Sequence, residues 1–197
     1  MPAQSPARRR SVAIGTSMTL TRKYRIKSLA ELESALLRRL LSTWQDKCRD
    51  RRFPARTDLH PRDLASVLPH LTLARVVDAG MDFELRIIGN EIVQAYGENF
   101  TGKRLSSLDH RIGNEMRDAY HAVVRTAQPV VLEGWFELSA ERCFQREVLL
   151  TPLGQTDDQV DHVMSAGALS NDSVTKIYPT LLGSAPHPEL RKLSAAL

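Results

Sequence analysis

The sequence is poor in cysteine. Among 197 residues only Cys48 and Cys143 occur, far apart and without metal-ligand spacing. That excludes a scaffold built on disulfides and fits a reducing compartment, so a cytoplasmic location is expected. Long apolar runs are missing too. No window holds the roughly 18 uninterrupted apolar residues that a membrane-spanning helix needs, and no membrane partner is expected. Glycine and proline, ten each, are too few for a collagen-like chain. Catalytic signatures are equally absent. There is no nucleophile elbow, no phosphate-binding glycine loop and no His/Cys/Asp cluster at zinc spacing. Glu133, Glu137 and Glu147 alternate along predicted strands and read as a solvated face. The expectation is a chain without catalytic activity, without a metal and with no required cofactor.

What is present is ordinary for a globular protein: 42% hydrophobic and 25% charged residues. The length suits one domain of about 150 residues plus extensions, enough for a real core. The net charge of +4 is unevenly spread. Residues 1–27 carry seven bases and no acid, residues 28–56 seven bases and four acids, which leaves 57–197 net acidic. An acidic body argues against a nucleic-acid-binding domain, which carries its basic patch on the folded surface.

Residues 1–27 show neither helical nor strand period and are read as a basic disordered tail. The stretch after Arg8, Arg9 and Arg10 is too short and too diluted by Ser, Thr and Gly to read as a secretion signal. Met18 is an alternative start. Residues 28–48 are read as one amphipathic helix. Ser28 and Glu31 form a capping box, and Leu29, Leu32, Leu36, Leu37, Leu40, Leu41 and Trp44 follow at intervals of three and four. Leu36, Leu37, Leu40, Leu41 and Trp44 make a stripe that either packs on the chain's own domain or, being wide, also pairs two subunits, and a homodimer is expected from the second reading.

Beyond the helix, Pro54 and Pro61 break the chain, and residues 62–68 predict a short helix ended by Pro69. Residues 71–78 and 83–89 predict two strands joined by a tight turn. Residues 90–96 predict a short helix closed by Gly97, and 111–127 a longer one stopped by Pro129. Three long strands follow, at 130–138, 143–153 and 160–170. Residues 173–197 read as an irregular tail. Tight turns between neighbouring strands imply antiparallel pairing. The fold class is therefore α+β: a five-stranded antiparallel sheet with helices on one face, preceded by the N-terminal helix.

That order of elements resembles the PAS domain, a sensory fold. The carrying residues are Trp44, the run RFPARTDLHP from Arg52 to Pro61, Leu68, Pro69 and Leu73. They continue with FELRIIG from Phe83 to Gly89, then Tyr96, Gly97, Thr101, Gly102, Lys103 and Pro129. The likeness, nearest to small bacterial proteins of one PAS domain and an N-terminal helix, spans about residues 36–172, and the domain is placed at 49–172. It implies a sensor that relays a signal to a separate partner protein, with a hollow that can hold a small molecule. Flavin-binding members use a reactive cysteine in the helical region, where neither Cys48 nor Cys143 falls. Heme-binding members use a histidine on the central helical segment. His110 and His121 flank the long helix here and are read as exposed or hydrogen-bonded.

Two sites are expected. A ligand pocket is predicted from Leu85, Ile87, Tyr96, Tyr120, Phe136, Phe144 and Met164, with apolar walls and two tyrosine hydroxyls to orient a ligand, set against the competing expectation that these residues are simply a packed core. Arg49, Arg51, Arg52 and Arg56 form a candidate anion-binding cluster, set against the competing expectation of ion pairs with Asp46, Asp50 and Asp58. The alternative function is a transcription-linked protein that touches nucleic acid through its basic tail.

Overall fold

In the computed structural model the described residues are 25–108, 110–139 and 142–169; for residues 25, 110–115, 135–139, 142–145 and 169 only the backbone is described. The tails at 1–24 and 170–197 lie outside the described residues. Six antiparallel strands form one sheet: β1 (Arg25–Lys27), β2 (Leu71–Val77), β3 (Asp82–Ile88), β4 (Val130–Ser139), β5 (Arg142–Leu153) and β6 (His162–Leu169), in the order β1-β4-β5-β6-β2-β3. The α-helices among the described residues are α1 (Ala35–Cys48), α2 (Asn90–Tyr96) and α3 (His110–Thr126).

Register divides the sheet into two faces, because residues directly opposite across an antiparallel pair share a face. Leu150 opposes Ser165 and Val130, Val148 opposes Gly167 and Leu132, and Arg146 opposes Gly134. Ala74 and Val76 oppose Leu85 and Phe83 on the same side. This inner face lies under α3, whose Tyr120 ring sits 5.0 Å from that of Phe83. Leu149, Thr151 and Leu153 occupy the outer face with Val131, Met164 and Ala166. There α1 covers the sheet: Leu37, Leu40 and Trp44 are buried, and Trp44 Nε1 donates to the Pro152 carbonyl at 2.9 Å. The N-terminal helix therefore closes the side opposite to α3.

Three expectations change. The helix over 28–48 divides in two. The capping box at Ser28 and Glu31 is present, but it caps a single 3-10 turn at Leu29–Glu31. A new cap at Ser34, whose hydroxyl accepts from the Leu37 N–H, then starts α1. The segment 62–67 is a succession of turns rather than a helix, and a single 3-10 turn at Leu68–His70, with Pro69 inside it, follows. And residues 25–27, assigned to the tail, form a sixth strand.

The reason for that sixth strand is electrostatic. Lys27 pairs with Val131, and its side chain is only 1% exposed. Its ammonium lies 3.2 Å from Glu147, 3.2 Å from Glu133 and 3.3 Å from Glu33. Burial opposes that charge, but the three carboxylates together hold its pKa above the ordinary lysine value. Glu147 also accepts the backbone N–H of Ser34 at 2.9 Å and of Glu33 at 3.1 Å. One carboxylate thus joins β1 to the start of α1.

The elements around the inner face end as their residues dictate. Gly97 closes α2 at φ 73, with its N–H on the Val93 carbonyl. Ala127 leaves α3 at φ 53, two residues before Pro129. Gly89 is required by contact, since a Cβ there would stand 2.2 Å from the Pro69 carbonyl oxygen.

Candidate functional site

Of the residues predicted to line a pocket, the structure brings Leu85, Tyr96 and Tyr120 to the inner face. Tyr120 is fully buried, and its hydroxyl meets Ser165 Oγ at 3.0 Å. Burial pushes the Tyr120 pKa up to about 12, against the opposing pull of the Ser165 hydrogen bond and the Arg146 charge. The hydroxyl therefore remains a proton donor at any physiological pH.

Ile87 does not join them. β2 and β3 pair Leu73 with Ile87 and then Ala74 with Leu85, so Arg86 is an extra residue in β3. The bulge reverses the alternation: Ile88 packs on the core, while Ile87 lies on the other side, 43% exposed. Met164 is buried, but its partners Thr151 and Leu73 place it on the outer face beneath α1. Phe136 and Phe144 oppose each other across β4 and β5; their side chains lie outside the described residues.

The residue at the centre of the site is one the sequence did not single out. Arg146 on β5 is 5% exposed, and its Nη1 donates to the Tyr96 hydroxyl at 2.6 Å. The guanidinium carbon stands 5.7 Å from the Tyr96 ring centroid, and Phe100 meets the same ring edge-on at 5.8 Å. The arginine head fits because Gly167 has no side chain. A Cβ there would stand 2.2 Å from Nε and 2.4 Å from Nη2. Strands β5 and β6 and helices α2 and α3 thus assemble a guanidinium, two phenols and a hydroxyl between sheet and helices.

The outer arginine cluster is largely tied down. Arg51 Nε lies 3.2 Å from Asp157, its Nη1 is 3.7 Å from Asp58, and its Nη2 donates to the Gly154 carbonyl at 2.7 Å. Arg52 donates to the Asp157 carbonyl at 3.4 Å. Asp58 was an expected partner; Asp157, a hundred residues away, was not. Arg49 and Arg56 are exposed. The dimer stripe is also largely used within the chain, with Leu37, Leu40 and Trp44 in the core and Leu36 and Leu41 half-buried against it.

His121 lies edge-on to Phe83 at 5.1 Å, and the His110 side chain lies outside the described residues. Burial pushes the Cys48 thiol pKa up, outweighing the charge of Arg51, which disfavours a reactive thiolate. Among the described residues no group of three His, Cys, Asp or Glu is placed to hold a metal ion. No described helix is long and apolar enough to cross a membrane.

A family profile described as PAS domain matches residues 32–169. None of the curated proteins matches the chain. Among solved structures, the Rhodobacter sphaeroides LOV protein aligns over 72% of this chain and 70% of its own, at 11% identity and a TM-score of 0.42. An RNA-binding light-oxygen-voltage receptor aligns over 76% of this chain, at 14% identity and a TM-score of 0.43, and this chain covers 39% of its length.

Proposed function

Because the chain belongs to the PAS domain family, whose members are sensory modules, we propose that it senses a small molecule on the inner face of its sheet. It acts without catalysis of its own. The carrying observation is the cluster of buried Arg146, Tyr120 and Ser165 with half-buried Tyr96. Four elements meet there, so occupancy changes bonds that hold α2 and α3 to β5 and β6. Glu147, the next residue after Arg146, is bonded to Lys27 and to the start of α1 on the opposite face. Displacement of β5 is thereby passed to the N-terminal elements, where a separate cytoplasmic partner reads it as a shift in population.

A homodimer is part of the same proposal. With Leu37, Leu40 and Trp44 in the core, a second copy would meet α1 through Leu36 and Leu41. Leu36→Glu with Leu41→Glu should give folded monomers in sedimentation. A wild-type chain already monomeric at high micromolar concentration rejects the dimer.

The sensing reading is tested by fluorine NMR of the full chain labelled with 3-fluorotyrosine. Its four tyrosines, at 24, 96, 120 and 178, give four signals assignable by Tyr→Phe replacement. Some member of a fragment set spanning neutral, cationic and anionic compounds should move the Tyr96 and Tyr120 signals saturably. If every fragment leaves both in place, the reading is wrong.

A further inference from the structure

We infer that the outer face of strands β2 and β3 docks an acidic segment of a partner protein, one that carries an apolar side chain beside its carboxylate. The inference rests on the reading above and deepens it by naming where the partner sits. The first ground is a pair of exposed guanidiniums held by one acid. Arg75 Nη2 lies 2.6 Å from Glu84 Oε2, and Arg86 Nη1 lies 2.7 Å from Glu84 Oε1. Both arginine side chains are 52% exposed, against 19% for Glu84. A guanidinium carries several N–H donors, and each of these two places one of them on Glu84. The remaining donors face water in a pair already set by the shared carboxylate. Two positive charges against one negative leave this spot net positive. The neighbouring cations are matched: Arg104 is paired with Asp78 and lies 3.8 Å from Asp82, and His162 Nδ1 meets Asp161 at 2.7 Å.

The second ground is an apolar neighbour on the same face. Arg75 opposes His162, which opposes Leu153 on the outer side, and Leu73 pairs with Ile87 one step along. Ile87 is 43% exposed. Leu73 and Arg75 are two residues apart on β2, an interval of roughly 7 Å. An extended segment repeats its same-side residues at that interval, so a carboxylate at the arginines sets its next-but-one residue against Ile87. The third ground is that the edge is taken. β3 ends the sheet, but the Leu85 N–H donates to the Lys103 carbonyl at 3.0 Å, and the Leu85 carbonyl accepts from the Gly102 N–H at 2.7 Å. A partner strand is therefore barred from the middle of β3 and is left with the face. Charge selects the occupant. The chain's own residues 1–27, with seven bases and no acid, are repelled, and a second copy brings the same positive spot. A nucleic acid needs a wider basic patch than two arginines.

Two peptides of equal length and apolar content test the surface: acetyl-Glu-Ser-Leu-Ser-Glu-amide and its Gln-for-Glu counterpart. Each is titrated into the full chain and followed by proton–nitrogen NMR. The acidic peptide should move the Arg75, Arg86 and Ile87 signals saturably, at roughly 3- to 30-fold lower concentration than the neutral one, the range of two exposed ion pairs. Arg75→Gln with Arg86→Gln should remove that preference. Ile87→Ser should weaken both peptides alike and leave their ratio unchanged. Equal responses to the two peptides in the wild type, or no response to either, would overturn the acidic partner. So would shifts confined to Arg49, Arg52 and Arg56, or an oligouridylate that moves the β2 and β3 signals at lower concentration than the acidic peptide. The wild-type comparison decides even if a variant fails to fold. Tyr96 and Tyr120 report sensing separately, so silence at β2 and β3 beside a responsive inner face removes this surface and leaves the sensor standing.

Discussion

Gly167 and Arg146 lie on neighbouring strands, and the glycine's missing side chain is the space the arginine head occupies: a Cβ on Gly167 would stand 2.2 Å from Nε. The clash falls on the far end of a flexible side chain, so the guanidinium can move away. Gly167→Ala should therefore cost about 1 kcal/mol, the mild end of overpacking, while breaking the bond to Tyr96. In an Arg146→Ala background the same change should cost close to nothing. Urea unfolding of the four variants gives the coupling directly. An equal cost in both backgrounds would show that the arginine head does not use that space.

Alkaline pH should destabilise the fold through Tyr120 and Lys27. An unfolded tyrosine releases its proton near pH 10, and folded Tyr120 near 12. The folded state holds the proton more tightly, so this contribution is complete below pH 10 and is lost as pH rises toward 12. Lys27, also raised above its ordinary value, acts with the same sign. Tyr120→Phe should cost about 1 kcal/mol at pH 7 by stranding the Ser165 hydroxyl. It should also make the fall between pH 10 and 12 shallower than in the wild type; identical slopes would refute the assignment.

Removing the Lys27 charge should be costly. In Lys27→Met, Glu147 at 10% side-chain exposure and Glu133 at 23% would face each other without the ammonium. The expected loss is about 3 kcal/mol, the low end for removing one partner of a buried pair, measured by chemical denaturation at pH 7. A loss below about 0.5 kcal/mol, as for an exposed pair, would mean that β1 is not anchored this way.

Two glycines around α2 should respond very differently to alanine. At Gly89 the added methyl meets the Pro69 and Leu68 carbonyl oxygens at 2.2 and 2.4 Å, and backbone cannot swing aside. Gly97 has open space, and only its φ of 73 resists the change. Gly97→Ala should cost about 1 kcal/mol, whereas Gly89→Ala should exceed it by at least 1–2 kcal/mol. Thermal melts of the pair suffice to check the order.

The elements were legible because their punctuation is local. Gly97 ends α2, Pro129 follows α3, and turn residues separate the long strands. The faces were not legible wherever alternation was hidden or broken. In the apolar run of β6, Val163 and Met164 read alike, and only pairing with β5 assigns Met164 to the outer side. The bulge at Arg86 moved Ile87 out of the predicted pocket, and a single extra residue leaves no composition signal. Arg146 was missed for a deeper reason. It looks like one polar residue beside Glu147, and its burial depends on Tyr96, fifty residues earlier, and on Gly167, twenty-one later. Lys27 was hidden likewise, its three glutamates lying 6, 106 and 120 positions away.

The Glu147 carboxylate holds Lys27, Glu33 and Ser34 at once, and this gives the fold a mechanical asymmetry. Tension applied ahead of residue 25 reaches three short strand positions and the Lys27 cluster with Glu33, Glu133 and Glu147 before it reaches α1. The joint therefore works as a fuse: a tether on the N-terminal side can peel β1 away at modest force while Leu37, Leu40 and Trp44 keep α1 seated. Cutting the chain at residue 28 blows the fuse in advance, leaving Glu147, the Ser34 cap and the Arg38 bonds to the Leu32 and Glu33 carbonyls to hold the start of α1.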